Sequence, residues 1–232
     1  MTDQPPVPAA RQTIDFGRPF SFTFEDPDWI RKILIGGVMY LLAFVLIGMF
    51  FIFGYLARFV RNVAAGAPRP LPEWDQWGRD FGEGVRLFAI MLIYYSPIIL
   101  IMMVMIVGPA IIGAAGAEHS DAAGALASGV FTFGMCLTYG LILVIAVILP
   151  AALTLAVMRQ SFSAAFEFAT IFAYVRENAV NYVLAIVIYL VAGFLAQFGI
   201  ILLCVGVVFT AFWSQLVSAY AFAETYRFSR VR

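Results

Sequence analysis

Residues 178–223 read NAVNYVLAIVIYLVAGFLAQFGIILLCVGVVFTAFWSQLVSAYAFA and contain no charged side chain. As one helix, this stretch would be about 69 Å long at 1.5 Å per residue. The hydrocarbon core of a bilayer is only about 30 Å thick, so a single crossing cannot use this length. The stretch therefore predicts two membrane helices, at about 179–197 and 199–223, with a break near Gln197 and Gly199.

Three further stretches lack Asp, Glu, Lys and Arg, namely 33–57, 87–117 and 122–158. Each is at least as long as the roughly 20 apolar residues that a membrane-spanning helix needs. The whole chain is 63% hydrophobic and 12% charged, against about 45–50% and 25% in soluble domains. We predict an all-α, polytopic transmembrane helix bundle with about five or six membrane helices and two amphipathic interfacial connectors.

The first apolar segment, 33–57, fits two arrangements. It crosses the membrane once, or it turns near Gly48 and returns as a short hairpin. Only the hairpin leaves both termini and both connectors on one side, so the charge pattern favours it. Its arms would be near 18 Å long, so the first arm would have to borrow residues 27–32, with Arg31 and Lys32 extending to the membrane surface.

Three parts of the chain are expected: a polar tail over 1–25, partly disordered, a membrane domain over 26–226, and a basic tail over 227–232. The tail is rich in proline at its start, and the alternating pattern of residues 20–25 is typical of a short extended segment. Asp26 is a candidate helix cap, and Trp29 is a candidate interfacial anchor.

The first connector spans residues 58–86 and shows one apolar helical face. Its members recur at spacings of three or four: Leu71, Trp74, Trp77, Phe81, Val85 and Phe88. Such a face either lies in the lipid headgroup region or packs on neighbouring helices, and we favour the headgroup region. Trp74, Asp75 and Trp77 are candidate interfacial or binding residues, and a second amphipathic connector is predicted over 159–178.

The orientation follows from the basic residues. The loop 114–128 has no Lys or Arg, whereas both connectors and both termini carry several. Short cytoplasmic loops collect such residues, so the connectors are expected in the cytoplasm. The first apolar segment is then an uncleaved anchor, and the protein is expected in the cell membrane.

Few residues carry chemistry. His119 is the only histidine, and Cys136 and Cys204 lie in separate apolar segments, so no metal or redox spacing is present. No nucleotide, hydrolase or metalloprotease motif occurs. We therefore expect no enzyme activity and no cofactor, and the net charge of zero gives no reason to expect a nucleic-acid partner.

Uncharged polar residues within the apolar segments most often form hydrogen bonds between helices. The alternative is that they line the path of a solute. Gln197 and Gln215 are the best candidates for such a lining.

Three stretches of the chain carry specific combinations of residues. They are Phe24-Glu25-Asp26-Pro27-Asp28-Trp29 with Lys32-Ile33-Leu34-Ile35-Gly36-Gly37; Gly54-Tyr55-Leu56 with Arg61, Ala64-Ala65-Gly66 and Leu71-Pro72-Glu73-Trp74-Asp75; and Ala165-Phe166-Glu167-Phe168 running to Asn181-Tyr182. Together they resemble the prokaryotic membrane-protein family known as domain of unknown function 4013, and the resemblance extends over most of residues 20–226. The resemblance implies a multi-pass membrane protein of a prokaryote and no agreed activity, so it supplies no catalytic residue.

Two functions remain open. The first is a non-enzymatic membrane component that binds or organises lipids or partner proteins, including further copies of itself. The second is a permease or channel for a small neutral or amphipathic solute. The two aromatic connectors favour the first function.

Overall fold

The computed structural model describes residues 13–114, 121–201 and 206–229. This part of the chain is helical, with no β-strand in it. Its α-helices are α1 (Arg18–Ser21), α2 (Trp29–Leu42), α3 (Ile47–Ala64), α4 (Trp77–Ala114), α5 (Asp121–Met158), α6 (Phe168–Glu177), α7 (Ala179–Gln197) and α8 (Gly206–Arg227). The predicted all-α bundle is confirmed. Residues 1–12 of the N-terminal tail, His119, Cys204 and residues 230–232 lie outside the described residues.

Five of the described helices, α3, α4, α5, α7 and α8, are long and apolar enough to cross a membrane. The α2 helix is apolar but has only 14 residues, which is about 21 Å. That length is short of the roughly 30 Å of a hydrocarbon core. The chain is therefore a multi-pass membrane protein, and its described residues contain five helices of spanning length beside the shorter apolar helix α2.

The first apolar segment forms a hairpin of α2 and α3. A 3-10 turn over Ala43–Val45 ends α2, and Leu46 adopts a left-handed conformation with a φ of 65° before α3 begins. The turn thus lies just before Gly48, where the sequence predicts it. Gly48 packs against the Met39 carbonyl with no space for a Cβ between them, so the arms are closely apposed at this end.

The last two helices form a second hairpin. α7 ends at Gln197, as predicted, and a 3-10 turn over Phe198–Ile201 follows. Near this turn the Thr210 hydroxyl donates a hydrogen bond of 2.7 Å to the Ala196 carbonyl. At the other end, the Asn178 side-chain amide donates one of 2.8 Å to the Ser229 hydroxyl.

Between these hairpins lie α4 and α5, with 38 residues each, about 57 Å if straight. Near its C-terminal end α5 is central to the bundle, and Ala151, Ala152 and Leu155 have no exposed surface. Farther from that end, large apolar side chains such as Phe133 and Leu143 are about 70% exposed. The outer half of this pair of helices thus extends past the core.

The basic residues of the described part collect at one end of the bundle, which we call the charged end. Arg227 of α8 lies beside Gly66, which follows α3, and Arg86 of α4 donates to the Gln160 carbonyl beyond α5. At the opposite end, the turn between α2 and α3 and the 3-10 turn that follows α7 contain no Lys or Arg. The sequence prediction that the termini and connectors share one side agrees with this arrangement.

The N-terminal segment differs from its prediction. Residues 20–25 are not extended, because α1 and a 3-10 helix over Phe22–Glu25 occupy them. The reason is tertiary packing: the Phe22 ring lies 5.3 Å from the Phe59 ring and 4.7 Å from the Tyr220 ring, centroid to centroid. A strand would place Phe20, Phe22 and Phe24 on one face. The helical turns bury Phe22 in the core and leave Phe24 56% exposed.

The first connector also differs. The α3 helix continues to Ala64, residues 65–76 are not α-helical, and α4 begins at Trp77 and continues without a break into the membrane-spanning part. The cause is local, since Gly66 has a φ of 75° and prolines at 68, 70 and 72 prevent a helix. The predicted helical face is therefore present only from Trp77 onwards. The second connector contains the short helix α6, as its amphipathic pattern predicts.

Candidate functional site

The charged end of the bundle is organised around a close crossing of α3 and α4. A Cβ added to Gly54 would overlap the Asp80 carbonyl, and one added to Gly84 would overlap the Phe50 carbonyl. Only glycine permits the two backbones to approach so closely. One helical turn from Gly54, Arg58 therefore faces Asp80 directly.

Arg58 and Asp80 form a buried two-point ion pair. The Arg58 Nε donates to Asp80 Oδ1 at 2.7 Å, and its Nη2 donates to Asp80 Oδ2 at 2.7 Å. Nη2 also donates to the Glu73 carbonyl at 2.7 Å, and Nη1 to Asp75 Oδ1 at 3.1 Å. The parallel geometry is the strong form of an arginine–carboxylate contact. It fixes the loop 65–76 to both helices.

A second buried pair links α2 to the same loop. The Lys32 Nζ lies 2.8 Å from Asp26 Oδ2 and 2.7 Å from Glu73 Oε1, and it donates to the Leu71 carbonyl at 3.2 Å. The hydrogen bond from Lys32 is the main cause that lowers the pKa of Glu73 below its ordinary value. Arg31 forms a further ion pair with Glu73. The loop is therefore held to α2 as well as to α3 and α4.

Trp74 fills the space between these ion pairs. Its ring stacks on Tyr55 with 4.0 Å between centroids and 15° between planes, and its Nε1 donates to the Lys32 carbonyl at 3.1 Å. The Tyr55 hydroxyl donates to the Pro72 carbonyl at 2.9 Å. Trp74 is thus a buried core residue of the charged end, with its polar atom satisfied.

The structure brings together five of the seven residues that the sequence singles out. Asp26 Oδ1 accepts a hydrogen bond of 2.9 Å from the Asp28 N–H just before α2 begins at Trp29, which is the kind of contact that a helix cap makes. Its Oδ2 pairs with the buried Lys32 ammonium. Trp29 is half-buried and packs edge-on against Phe24 at 5.0 Å. The Asp75 side chain is 60% exposed, and Trp77, 39% exposed, stacks against Trp74 at 5.6 Å.

The other two candidates lie elsewhere. Gln197 is exposed at the opposite end of the bundle, where α7 ends, and Gln215 is exposed along α8. The two side chains do not face a common interior space. As candidate lining of a solute path, this pair is therefore not supported by its placement.

A shallow cleft of about 260 Å³ opens beside the ion pairs. It is lined by Arg61, Arg79, Gly82, Glu83, Arg86 and Gln160. Glu83 accepts a bond of 2.6 Å from the Arg61 Nη2 and one of 3.1 Å from the Arg86 Nη2. The carboxylate thus holds two guanidinium groups at one wall of the cleft.

A second cleft, of about 300 Å³, lies between the outer halves of α4 and α5. Its lining is wholly apolar, being formed by Leu100, Ile101, Val104, Met105, Val130, Phe133, Gly134 and Leu137. Gly134 lets the Met105 side chain pack closely against α5, since a Cβ there would overlap it. We call this space the apolar groove.

The residues that build the charged end were not predicted as candidates from the sequence. Lys32, Arg58 and Asp80 are at most 8% exposed at the side chain, yet the sequence alone places charged residues at the ends of membrane segments. One signal was available: Gly54 precedes Arg58 by four residues and Gly84 follows Asp80 by four. That spacing puts each glycine and its charge on one helical face.

No group of three or more His, Cys, Asp or Glu side chains in the described part of the chain is arranged to hold a metal ion. Asp26, Asp80 and Glu83 at the charged end form ion pairs with Arg or Lys instead. Their arrangement suits the joining of helices.

Comparison with known proteins supplies a family and no activity. No curated protein and no solved structure matches the chain. The family described as "Protein of unknown function (DUF4013)" matches residues 35–205, which include most of the α2–α3 hairpin, the loop 65–76 with the Arg58–Asp80 pair, and both clefts. The match covers well over half of the chain, and the protein therefore belongs to the DUF4013 family of proteins of unknown function.

Proposed function

We propose that the protein is a non-enzymatic component of the cell membrane that binds and organises lipid, with its charged end in the cytoplasm. The observation that carries the proposal is the mismatch in length between its helical hairpins and the bilayer. The orientation is supported by the basic residues, because cytoplasmic loops are enriched in Lys and Arg. The proposal that it is not an enzyme is supported by the ion pairs that Asp26, Asp80 and Glu83 form with Lys and Arg.

The uncharged part of the α2–α3 hairpin is shorter than a bilayer core, although α3 as a whole has the length of a spanning helix. From Arg58, at the charged end, the chain rises only about 18 Å to the turn at Leu46. Phe44 in that turn is 87% exposed, and its neighbours Val45 and Leu46 are also exposed and apolar. An apolar tip at this depth would end near the middle of a hydrocarbon core of about 30 Å. Lipid beneath the tip has to fill the remaining depth.

The α4–α5 pair is too long. From Arg86, the last charged residue of α4, to Ala114 the helix rises about 42 Å, and α5 rises about 51 Å from Gly124 to Met158. A hydrophobic stretch longer than the bilayer tilts or thickens the lipid around it. The uncharged part of α2–α3 is shorter than the hydrocarbon core, and that of α4–α5 is longer. The protein thus imposes two different thicknesses on the lipid around it.

The apolar groove gives this lipid a defined place. Its walls carry no polar side chain, which suits an acyl chain and offers no hydrogen bond to a polar solute. Leu100, Val104 and Phe133 on its rim are more than 60% exposed. The groove is open towards the side, where bilayer lipid would approach it.

The test compares two tryptophan variants with the wild type. Val104→Trp fills the groove, whereas Leu143→Trp introduces the same side chain at an exposed site on α5 that does not line it. Each protein is extracted in a mild detergent, and the retained phospholipids are counted by native mass spectrometry. We expect Val104→Trp to retain fewer phospholipids than the wild type and Leu143→Trp to retain as many.

Equal phospholipid counts for all three proteins would contradict the proposal. A wild-type dimer that becomes a monomer on Val104→Trp would assign the groove to a second copy of the chain, and would equally contradict lipid as its occupant. The permease alternative gains no support from the polar residues inside the spans. The Thr154 and Ser218 hydroxyls donate to carbonyls four residues earlier in their own helices, and Gln197 and Gln215 face outwards.

A further inference from the structure

The cleft at the charged end combines three arginines with one carboxylate. Arg61, Arg79 and Arg86 contribute three positive charges and Glu83 one negative charge, so the lining carries a net charge of 3 − 1 = +2. No other Asp or Glu lines the cleft. A space with this lining attracts an anion.

The arginines are held in place before any ligand arrives. Arg61 pairs with Glu83 through both of its terminal nitrogens. Arg86 is held between Glu83 and the Gln160 carbonyl, at 3.1 Å and 3.0 Å. Gln160 is itself fixed in a left-handed turn with a φ of 51° after α5. Two guanidinium groups from different helices are therefore preorganised at one wall.

Donors remain for a ligand. Arg79 is exposed, and its one side-chain hydrogen bond in the described structure goes to Gln76, just before α4 begins, at 3.2 Å. Gly82, between Arg79 and Arg86 along α4, has nothing within 4 Å of the position of a Cβ. The floor of the cleft is thus open beside unused donors.

We propose that this cleft binds a phosphate group. Guanidinium groups match the charge and the planar donor geometry that phosphate oxygens require. The cleft also lies at the depth of lipid phosphates, because Arg86 is the last charged residue before the uncharged stretch 87–113. The phosphate belongs either to an anionic phospholipid or to a soluble phosphate ester. This site is separate from the apolar groove, and its existence does not depend on the lipid function proposed above.

Glycines in α4 provide a matched pair of variants. Gly82→Glu places a carboxylate inside the cleft without displacing a neighbour, and Gly78→Glu places the same group one turn earlier, where there is also open space and no contact with the cleft. A third variant, Gly82→Gln, fills the cleft to the same extent without adding charge. Thermal unfolding of the variants in detergent shows that each is folded.

Binding is measured by titration calorimetry of the whole protein in micelles of an uncharged detergent. One arm adds phosphatidylglycerol and the other adds glycerol phosphate, which has the same kind of headgroup but no acyl chains. We expect saturable binding that Gly82→Glu weakens by roughly tenfold or more, since a like charge is placed close to the phosphate. Gly78→Glu should bind like the wild type, and Gly82→Gln should lose less affinity than Gly82→Glu.

The two arms identify the source of the phosphate. If only phosphatidylglycerol binds the wild type and the variants with the expected order of affinities, the phosphate belongs to a lipid headgroup. If glycerol phosphate binds with that order, a soluble phosphate ester is supported. If neither compound binds saturably, or if Gly82→Glu binds both as the wild type does, the proposal is wrong. Neither result alters the outcome for Val104→Trp, so the groove and the cleft are tested independently.

Discussion

Asp80 on α4 accepts two parallel hydrogen bonds of 2.7 Å from the guanidinium of Arg58 on α3, and the Asp80 side chain is 1% exposed. Loss of one partner from such a pair leaves a buried charge without compensation. We expect Asp80→Asn to lower the free energy of unfolding by about 3 kcal/mol. Chemical unfolding in mixed micelles, followed by circular dichroism, measures the change.

The control for this prediction uses the same arginine. Asp75 also accepts from Arg58, at 3.1 Å, but its side chain is 60% exposed. Asp75→Asn should cost less than about 1 kcal/mol, because exposed ion pairs contribute little. Equal losses for Asp75→Asn and Asp80→Asn would show that burial does not set the strength of these contacts.

The glycines of α3 and α4 predict opposite effects for one kind of substitution. Gly54→Ala should destabilise the protein by about 2 kcal/mol, because its methyl group overlaps the Asp80 carbonyl and the helices must separate. Gly78→Ala meets nothing within 4 Å and should stabilise the protein by about 0.5–1 kcal/mol, since alanine favours a helix. The midpoints of thermal unfolding in detergent should therefore shift in opposite directions. A stabilising Gly54→Ala would contradict the close crossing.

The sequence predicts the membrane architecture well because uncharged length is a strong physical constraint. The break after Gln197 follows from an uncharged stretch that is too long for a single crossing. The turn before Gly48 follows from the distribution of basic residues, which places both flanking segments on one side of the membrane. In these segments each residue faces lipid or another apolar helix. Composition alone therefore determines where they can lie.

The boundaries near the charged end could not be predicted in this way. A charge-based division ends the first apolar segment before Arg58, yet α3 continues to Ala64. The helix continues because Asp80 neutralises Arg58, and the partner lies 22 residues away. Such pairing is a property of the packed helices, and no local pattern contains it. The same packing places Trp74 in the core. The spacing of the apolar residues fitted both the core and the membrane surface, and the surface was the one we favoured.

The two neighbouring tryptophans should therefore differ sharply. Trp74 is 9% exposed and stacks on Tyr55, whereas Trp77 is 39% exposed. Trp74→Ala should cost about 3–5 kcal/mol, as for other large buried side chains, and Trp77→Ala about 1 kcal/mol or less. The yield of monodisperse protein in size-exclusion chromatography should fall for Trp74→Ala only. A comparable loss for Trp77→Ala would indicate that Trp77 is as deeply packed as Trp74.

Glu73 makes the stability of the charged end depend on pH. The hydrogen bond from Lys32 lowers the pKa of Glu73 below its ordinary value of 4.5. The unfolded chain therefore takes up the proton first, and this stabilisation is complete above about pH 4.5 and is lost as the pH falls towards the lowered pKa. Between pH 6 and pH 3.5, the thermal midpoint of the wild type should fall more than that of Glu73→Gln. Other carboxylates titrate in both proteins, so the difference between the two curves isolates Glu73; parallel curves would contradict the prediction.

The depth of the α2–α3 hairpin can be tested by cysteine labelling in intact vesicles, after Cys136 and Cys204 are replaced by serine. Phe44→Cys, at the apolar tip, should resist a membrane-impermeant maleimide added from either side, because the tip lies within the hydrocarbon. Asp75→Cys should react only from the side of the charged end, and Gln197→Cys only from the opposite side, since these residues lie at the two ends of the bundle. If Phe44→Cys reacts from the side on which Gln197→Cys reacts, the hairpin crosses the whole bilayer, and the length mismatch that supports the lipid proposal is removed.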